Sequence, residues 1–115
     1  IFQVNWFRKD ADGSFLWPGF GENSRPIEWA LRRINGEVGA VDAISGRIPA
    51  VGDLNLDGLD MTDEDVAKLF AYDNDAWSAE ADVTAEYFSQ FGEHAPAELY
   101  GQLDKLKARI AAHEG

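Results

Sequence analysis

Cysteine is absent from the 115 residues, which excludes a disulfide framework, a thiolate metal site and a thiol nucleophile within them, and fits a reducing, cytoplasmic setting. Histidine occurs only at His94 and His113. Both fall in a helical tail with no plausible partner near in sequence, so they read as surface residues and no nucleophile–base pair can be drawn. No apolar run approaches the length of a membrane span, and Ile1-Phe2-Gln3-Val4 carries neither an initiating Met nor a basic leader, so the start reads as mid-protein sequence. The phosphate-loop pattern GxxxxGK[ST] is missing as well, since no lysine follows Gly19-Phe20-Gly21 at that spacing.

Positive charge is scarce. Ten Lys and Arg face 21 Asp and Glu, for a net charge of −11. The first fifty residues balance six acids (Asp10, Asp12, Glu22, Glu28, Glu37, Asp42) against six bases (Arg8, Lys9, Arg25, Arg32, Arg33, Arg47), so the whole excess lies beyond residue 50. A nucleic-acid groove or an anionic membrane surface needs clustered Lys and Arg, so neither partner is expected, and any anionic ligand belongs to the first half.

What the chain does have is aromatic residues at a bend. In Phe15-Leu16-Trp17-Pro18-Gly19-Phe20-Gly21-Glu22-Asn23-Ser24-Arg25, Trp17 and Phe20 flank a Pro-Gly turn, where large rings are exposed unless a flat ligand or another part of the protein covers them. Upstream, Ile1 to Phe7 reads as a strand, and the polar run ending in Asp12-Gly13 predicts a hairpin returning through Ser14 to Trp17. That hairpin brings Phe7 near Phe15, and the bend adds Phe20, so three phenylalanines are expected to line one cleft.

A helix is expected next, capped by Ser24, with Pro26 in its first turn, Ile27, Ala30, Leu31 and Ile34 recurring at helical spacing, and Asn35-Gly36 at its end. Residues 37–61 read as a Gly-rich connector with at most short strand pieces. Thr62 and Asp65 form a capping box for a second helix faced by Val66, Leu69 and Phe70. Trp77, Ala81, Thr84, Phe88 and Phe91 mark a third, and Leu99, Leu103, Leu106 and Ile110 a fourth opened by Pro96, the last two forming an antiparallel pair. The fold class is therefore α+β: a short N-terminal β-hairpin and aromatic loop leading into a helix, then a mainly helical C-terminal half. The chain reads as one domain, 1–115, divided into 1–36, 37–61 and 62–115.

Asp53, Asn55, Asp57, Gly58 and Glu64 match the spacing of a calcium loop, which offers an alternative function as a calcium-binding or protein-interaction module. Context opposes it. Gly46, Pro49 and Gly52 leave no entering helix, and Asp60 stands where an apolar side chain normally packs, so the segment reads as a metal-free turn leading into a capped helix. A purely structural piece that binds neither ligand is the remaining alternative.

Asn5-Trp6-Phe7-Arg8-Lys9, then Gly13, then the whole run Phe15 to Arg25 closely resembles the C-terminal segment of GTP-dependent phosphoenolpyruvate carboxykinase. Weaker similarity continues through Trp29, Ile48-Pro49, Asn55 to Leu59 and the closing helices. The resemblance implies a guanine pocket with aromatic walls from Phe7, Phe15 and Phe20, the backbone of Gly19, Phe20, Gly21, Glu22 and Asn23 along the base, and the Asn23 amide reading it. It also implies that the chain is the carboxyl-terminal piece of the family's larger nucleotide-binding domain. The family's reaction converts oxaloacetate and GTP to phosphoenolpyruvate, GDP and carbon dioxide. Its phosphate loop, Mn2+ and Mg2+ sites, reactive cysteine and lid lie upstream, so no catalytic or metal residue is expected here, the isolated piece is expected to be inactive, and the full enzyme is expected to be a cytoplasmic monomer.

Overall fold

The computed structural model describes residues 1–113. In chain order it contains a 3-10 turn (Phe20–Glu22), α1 (Ser24–Ile34), β1 (Val41–Ala43), β2 (Gly46–Ile48), α2 (Asp63–Phe70), α3 (Asn74–Ser89), a second 3-10 turn (Gly92–His94) and α4 (Ala97–Ala112). The protein is α+β. Its residues group into two compact units, the first made of Ile1–Val41 and Arg47–Ala71, the second of Asp42–Gly46 and the chain from Tyr72 onward.

The first unit holds the aromatic segments. Its core is Trp17, Trp29 and Leu54, with Trp6, Ala30, Val38, Ala40, Leu56, Leu69 and Phe70 packed around them. Residues 1–7 form no strand: the Asn5 side chain accepts the Phe7 N–H at 3.1 Å, which bends the chain locally where an extended run was expected. The reversal itself is present but tight. Gly13, at φ 84°, closes the turn through its N–H to the Asp10 carbonyl, and a single antiparallel bridge joins Lys9 to Phe15. The only two-stranded sheet among the described residues is β1–β2, within the segment read as connector. The two residues between these strands, Ile44 and Ser45, permit only antiparallel pairing.

Helix α1 presents a face other than the one its periodicity indicates. Ile27, Leu31 and Ile34 are exposed, whereas Trp29 is buried in the core. Its flanking arginines fix the following loop: Arg32 donates to the Asp53 carbonyl at 2.6 Å, and Arg25 donates to the Asn55 carbonyl at 2.9 Å. At α2 the capping box between Thr62 and Asp65 forms as expected. The free carbonyls at its other end are taken up by Arg8, which donates to Leu69 O at 3.2 Å and Ala71 O at 2.7 Å, a cation placed where the helix dipole favours one.

Lys68, on α2, pairs with Asp10 at 3.0 Å and Glu64 at 3.2 Å. Lys68, and after it the Ala11 N–H, hold the Asp10 carboxyl below its ordinary range. The backbone N–H and hydroxyl of Thr62 do the same for Asp65, while Asp10 and then Glu64 push the Lys68 ammonium up. Lowered carboxyl values mean stability that is present above the unfolded carboxyl pKa of about 3.9 and is lost as pH falls through the folded values. The raised ammonium means stability present below about 10.4 and lost as pH rises through the folded value. Asp10→Asn is therefore expected to flatten both limbs of a pH series of urea unfolding. Limbs as steep as in the unsubstituted chain would contradict the assignment.

The second unit is an antiparallel helix pair closed by the hairpin tip. Direction follows from the contacts: Asn74, opening α3, donates to His113 O after α4, while Tyr100, early in α4, donates to Phe88 O late in α3. Ala81, Leu103 and Ile110 form its core with Ile44, which is 1% exposed. Tyr72, Trp77, Ala85, Phe88 and Leu106 pack against them. Leu99 and Phe91, assigned to the packing stripes by their spacing, are exposed because each lies in the end turn or beyond the end of its helix. His113, expected at the surface, is half-buried against Tyr72 with its Nδ1 2.8 Å from Asn74 Oδ1.

Candidate functional site

Trp6 and Phe7 are adjacent in a turn, yet their rings part ways. Trp6 is half-buried and lies against Trp17, with ring centroids 5.4 Å apart and planes tilted by 40°, while Phe7 is exposed. The turn then returns Phe15 to it: the two rings meet nearly edge to face, with centroids 6.3 Å apart at 68°. Lys9 Nζ lies 5.2 Å from the centre of the Phe15 ring. Phe7 is 74% and Phe15 57% exposed.

Phe20 opens the 3-10 turn and is 91% exposed, outside the ring pairs formed among the described residues. Of the expected trio, the fold brings Phe7 and Phe15 into contact and leaves Phe20 as a separate exposed ring. Gly19, at φ 134°, allows the chain to leave Pro18 and enter the turn in a backbone region that side chains disfavour. The turn closes through Glu22 N–H to Gly19 O and Asn23 N–H to Phe20 O, both at 3.1 Å, and runs directly into α1.

That continuity corrects the reading of the helix start. Asn23 has helical angles (φ −65°, ψ −17°) and stands at the cap position without capping, and Ser24 is the first helical residue. The Asn23 side chain is engaged elsewhere, its Oδ1 accepting from Trp17 Nε1 at 2.8 Å. Glu22 pairs with Arg25 at 2.6 Å, so its carboxylate braces the turn. Trp17, expected to be exposed on the bend, is 7% exposed and belongs to the core. Sequence reasoning thus missed the hydrogen-bonded support beneath the site. The available signal was the repetition of Trp-Phe and Phe-Leu-Trp, which supplies one ring for the core and one for the surface in each segment.

Nothing supports the calcium-binding alternative. No group of three His, Asp or Glu side chains suited to a metal gathers among the described residues. Asn55 Oδ1 accepts the Asp57 N–H at 3.0 Å, the Asp53 and Asn55 carbonyls are held by arginines, and Glu64 pairs with Lys68. Of the oxygens that a calcium loop needs free, the Glu64 carboxylate thus faces a cation and Asn55 Oδ1 already accepts a backbone N–H.

Phe7 and Phe15 thus form an exposed aromatic pair, Phe20 is a separate exposed ring on a glycine-bounded turn, and the Asn23 amide is held by Trp17. Residues 1–109 match the family described as "Phosphoenolpyruvate carboxykinase C-terminal P-loop domain", and the chain belongs to that family. It is 47% identical over 112 residues to the phosphoenolpyruvate carboxykinase [GTP] of Corynebacterium glutamicum, covering 97% of this chain and 18% of that protein. The same-named protein of Renibacterium salmoninarum is 47% identical over 110 residues, covering 96% of this chain and 18% of the relative. That of Neocallimastix frontalis is 44% identical over 113 residues, at 97% and 18%. The chain thus spans about a fifth of the length of the curated relatives it matches. No helix among the described residues is long and apolar enough to cross a membrane.

Proposed function

We propose that this chain supplies the guanine-binding end of a GTP-dependent phosphoenolpyruvate carboxykinase. Phe7 and Phe15 form one wall for the base, Phe20 stacks on it from the other side, and the backbone from Gly19 to Asn23 runs along its edge. The single observation that carries the reading is the exposure of these three rings on segments whose tryptophans pack inward, Trp17 buried and Trp6 half-buried: large apolar surface is left uncovered where a flat base would cover it. Gly21 adds support. A Cβ there would meet nothing within 4 Å among the described residues, so the backbone edge at Gly21 is open to a ligand.

In the whole enzyme, oxaloacetate loses carbon dioxide to leave an enolate, whose oxygen takes the γ-phosphoryl group of GTP to give phosphoenolpyruvate and GDP. This chain does none of the bond breaking. It anchors the base so that the phosphates reach residues outside the segment, where Mn2+ and Mg2+ are also assigned. The enzyme is assigned to the cytoplasm and to a monomeric state, with no nucleic-acid or membrane partner, in keeping with the acidic second half.

Asn23→Ala in the full-length protein is the test. Steady-state kinetics with GTP, ITP and ATP are expected to show the preference for GTP over ATP narrowing, because the deleted amide pairs with only one of the two bases, while turnover at saturating GTP changes less. An untouched preference together with lowered turnover would overturn the role of Asn23 as base reader.

A further inference from the structure

Resting on the guanine reading, we infer that Trp17 is a positioning residue that sets which end of the Asn23 amide meets the base. An asparagine amide offers an acceptor at one end and two donors at the other, and its orientation decides which of two opposite ligand patterns it satisfies. Here the orientation is fixed by chemistry. Indole nitrogen only donates, so the Asn23 atom 2.8 Å from Trp17 Nε1 must be the oxygen, and the Nδ2 donors are turned away from Trp17. Nδ2 makes no hydrogen bond among the described residues.

The fixed end is well held. Trp17 is 7% exposed, set against Trp6 and packed with Trp29 and Leu54, so its N–H cannot swing to another partner without disturbing the core. Asn23 is itself half-buried, and its backbone is pinned by the bond to Phe20 O. A rigid indole thus leaves a donor-only end that keeps accessible surface among the described residues. That end complements a 6-oxo purine, whose O6 accepts, and opposes a 6-amino purine, whose N6 donates. Selectivity for guanine or hypoxanthine over adenine then depends on a core tryptophan that never touches the nucleotide.

Trp17→Phe in the full-length protein removes the N–H while keeping an aromatic ring in the core. Expected is a narrowing of the GTP-to-ATP ratio of kcat/KM by about three- to tenfold, as for loss of one hydrogen bond, with ITP following GTP and kcat for GTP retained. Leu54→Ala loosens the same core without touching the hydrogen bond, and its ratio is expected to stay unchanged. Asn23→Asp keeps an acceptor for Trp17 but loses the accessible donor, so it is expected to lose GTP and ITP use relative to ATP. An unchanged ratio in Trp17→Phe beside a narrowed one in Asn23→Ala overturns the positioning role and spares the guanine reading. Equal narrowing in Leu54→Ala also overturns it, tracing the effect to a loosened fold. Unchanged ratios in both Trp17→Phe and Asn23→Ala overturn the guanine reading and the positioning role together.

Discussion

Replacing Trp29 with alanine is expected to cost about 3–5 kcal/mol of stability, the range for removing a buried large aromatic side chain. Trp29 is 4% exposed, packed with Trp17 and Leu54, and approached edge-on by Phe2 at 6.0 Å and 89°. Its Nε1 is buried without a hydrogen-bond partner among the described residues, so alanine orphans no other polar group and the loss is one of packing alone. Trp29→Phe should for that reason be much milder, since it shrinks the ring but also removes a desolvated donor that costs about 1–3 kcal/mol. On the same helix, Ile27→Ser should lie within about 0.5 kcal/mol, because Ile27 is exposed in this chain. Denaturant unfolding of the three variants checks the set. Equal losses in Trp29→Phe and Trp29→Ala would show that the tryptophan's full shape, and not apolar volume, holds the unit together.

Phe20→Ala is expected to do the opposite, sparing stability and weakening nucleotide binding. A ring that is 91% exposed contributes little to the fold. Loss of an aromatic platform beneath a base typically costs about 1–3 kcal/mol, and stacking does not depend on the base's hydrogen-bonding edge. GTP and ITP should therefore weaken alike, roughly five- to 150-fold by that range. Titration of the full-length protein with both nucleotides, beside a melting curve, is the measurement. An unchanged affinity would remove Phe20 from the pocket, and a large drop in melting temperature would mean that the ring packs where it was taken to be free.

These two residues mark where the sequence was legible. Interactions spanning a few positions could be read directly: the Thr62–Asp65 box needs only four consecutive residues, and the stripes of α3 and α4 carry their partners' spacing within themselves. The turn from Asp10 to Ser14 was equally local. Periodicity identified an apolar face on α1 at Ile27, Leu31 and Ile34 but could not say what covers it. The inward direction is fixed by Trp29 and by Arg25 and Arg32 reaching carbonyls 30 and 21 residues away. The candidate site was named as a set of residues through family resemblance alone. The burial of Trp17 was not legible, because a tryptophan beside Pro-Gly has the same local signature whether a distant leucine covers it or not.

The burial of Ile44 has a consequence for the order in which the chain is made. Its packing partners Leu103 and Ile110 lie about sixty residues further on, and Arg109 donates to the Ile44 carbonyl at 2.8 Å. Synthesis runs from the amino end, at about 5–20 residues per second. The hairpin tip therefore leaves the ribosome several seconds before the helix that buries it, while the first unit has every residue it needs once Ala71 has emerged. During that interval a bare isoleucine sits on a tight turn between two short strands. Chains stalled between residues 72 and 103 would present this hydrophobic tip before α4 is complete enough to cover it, which makes such nascent lengths the natural ones for a chaperone to hold.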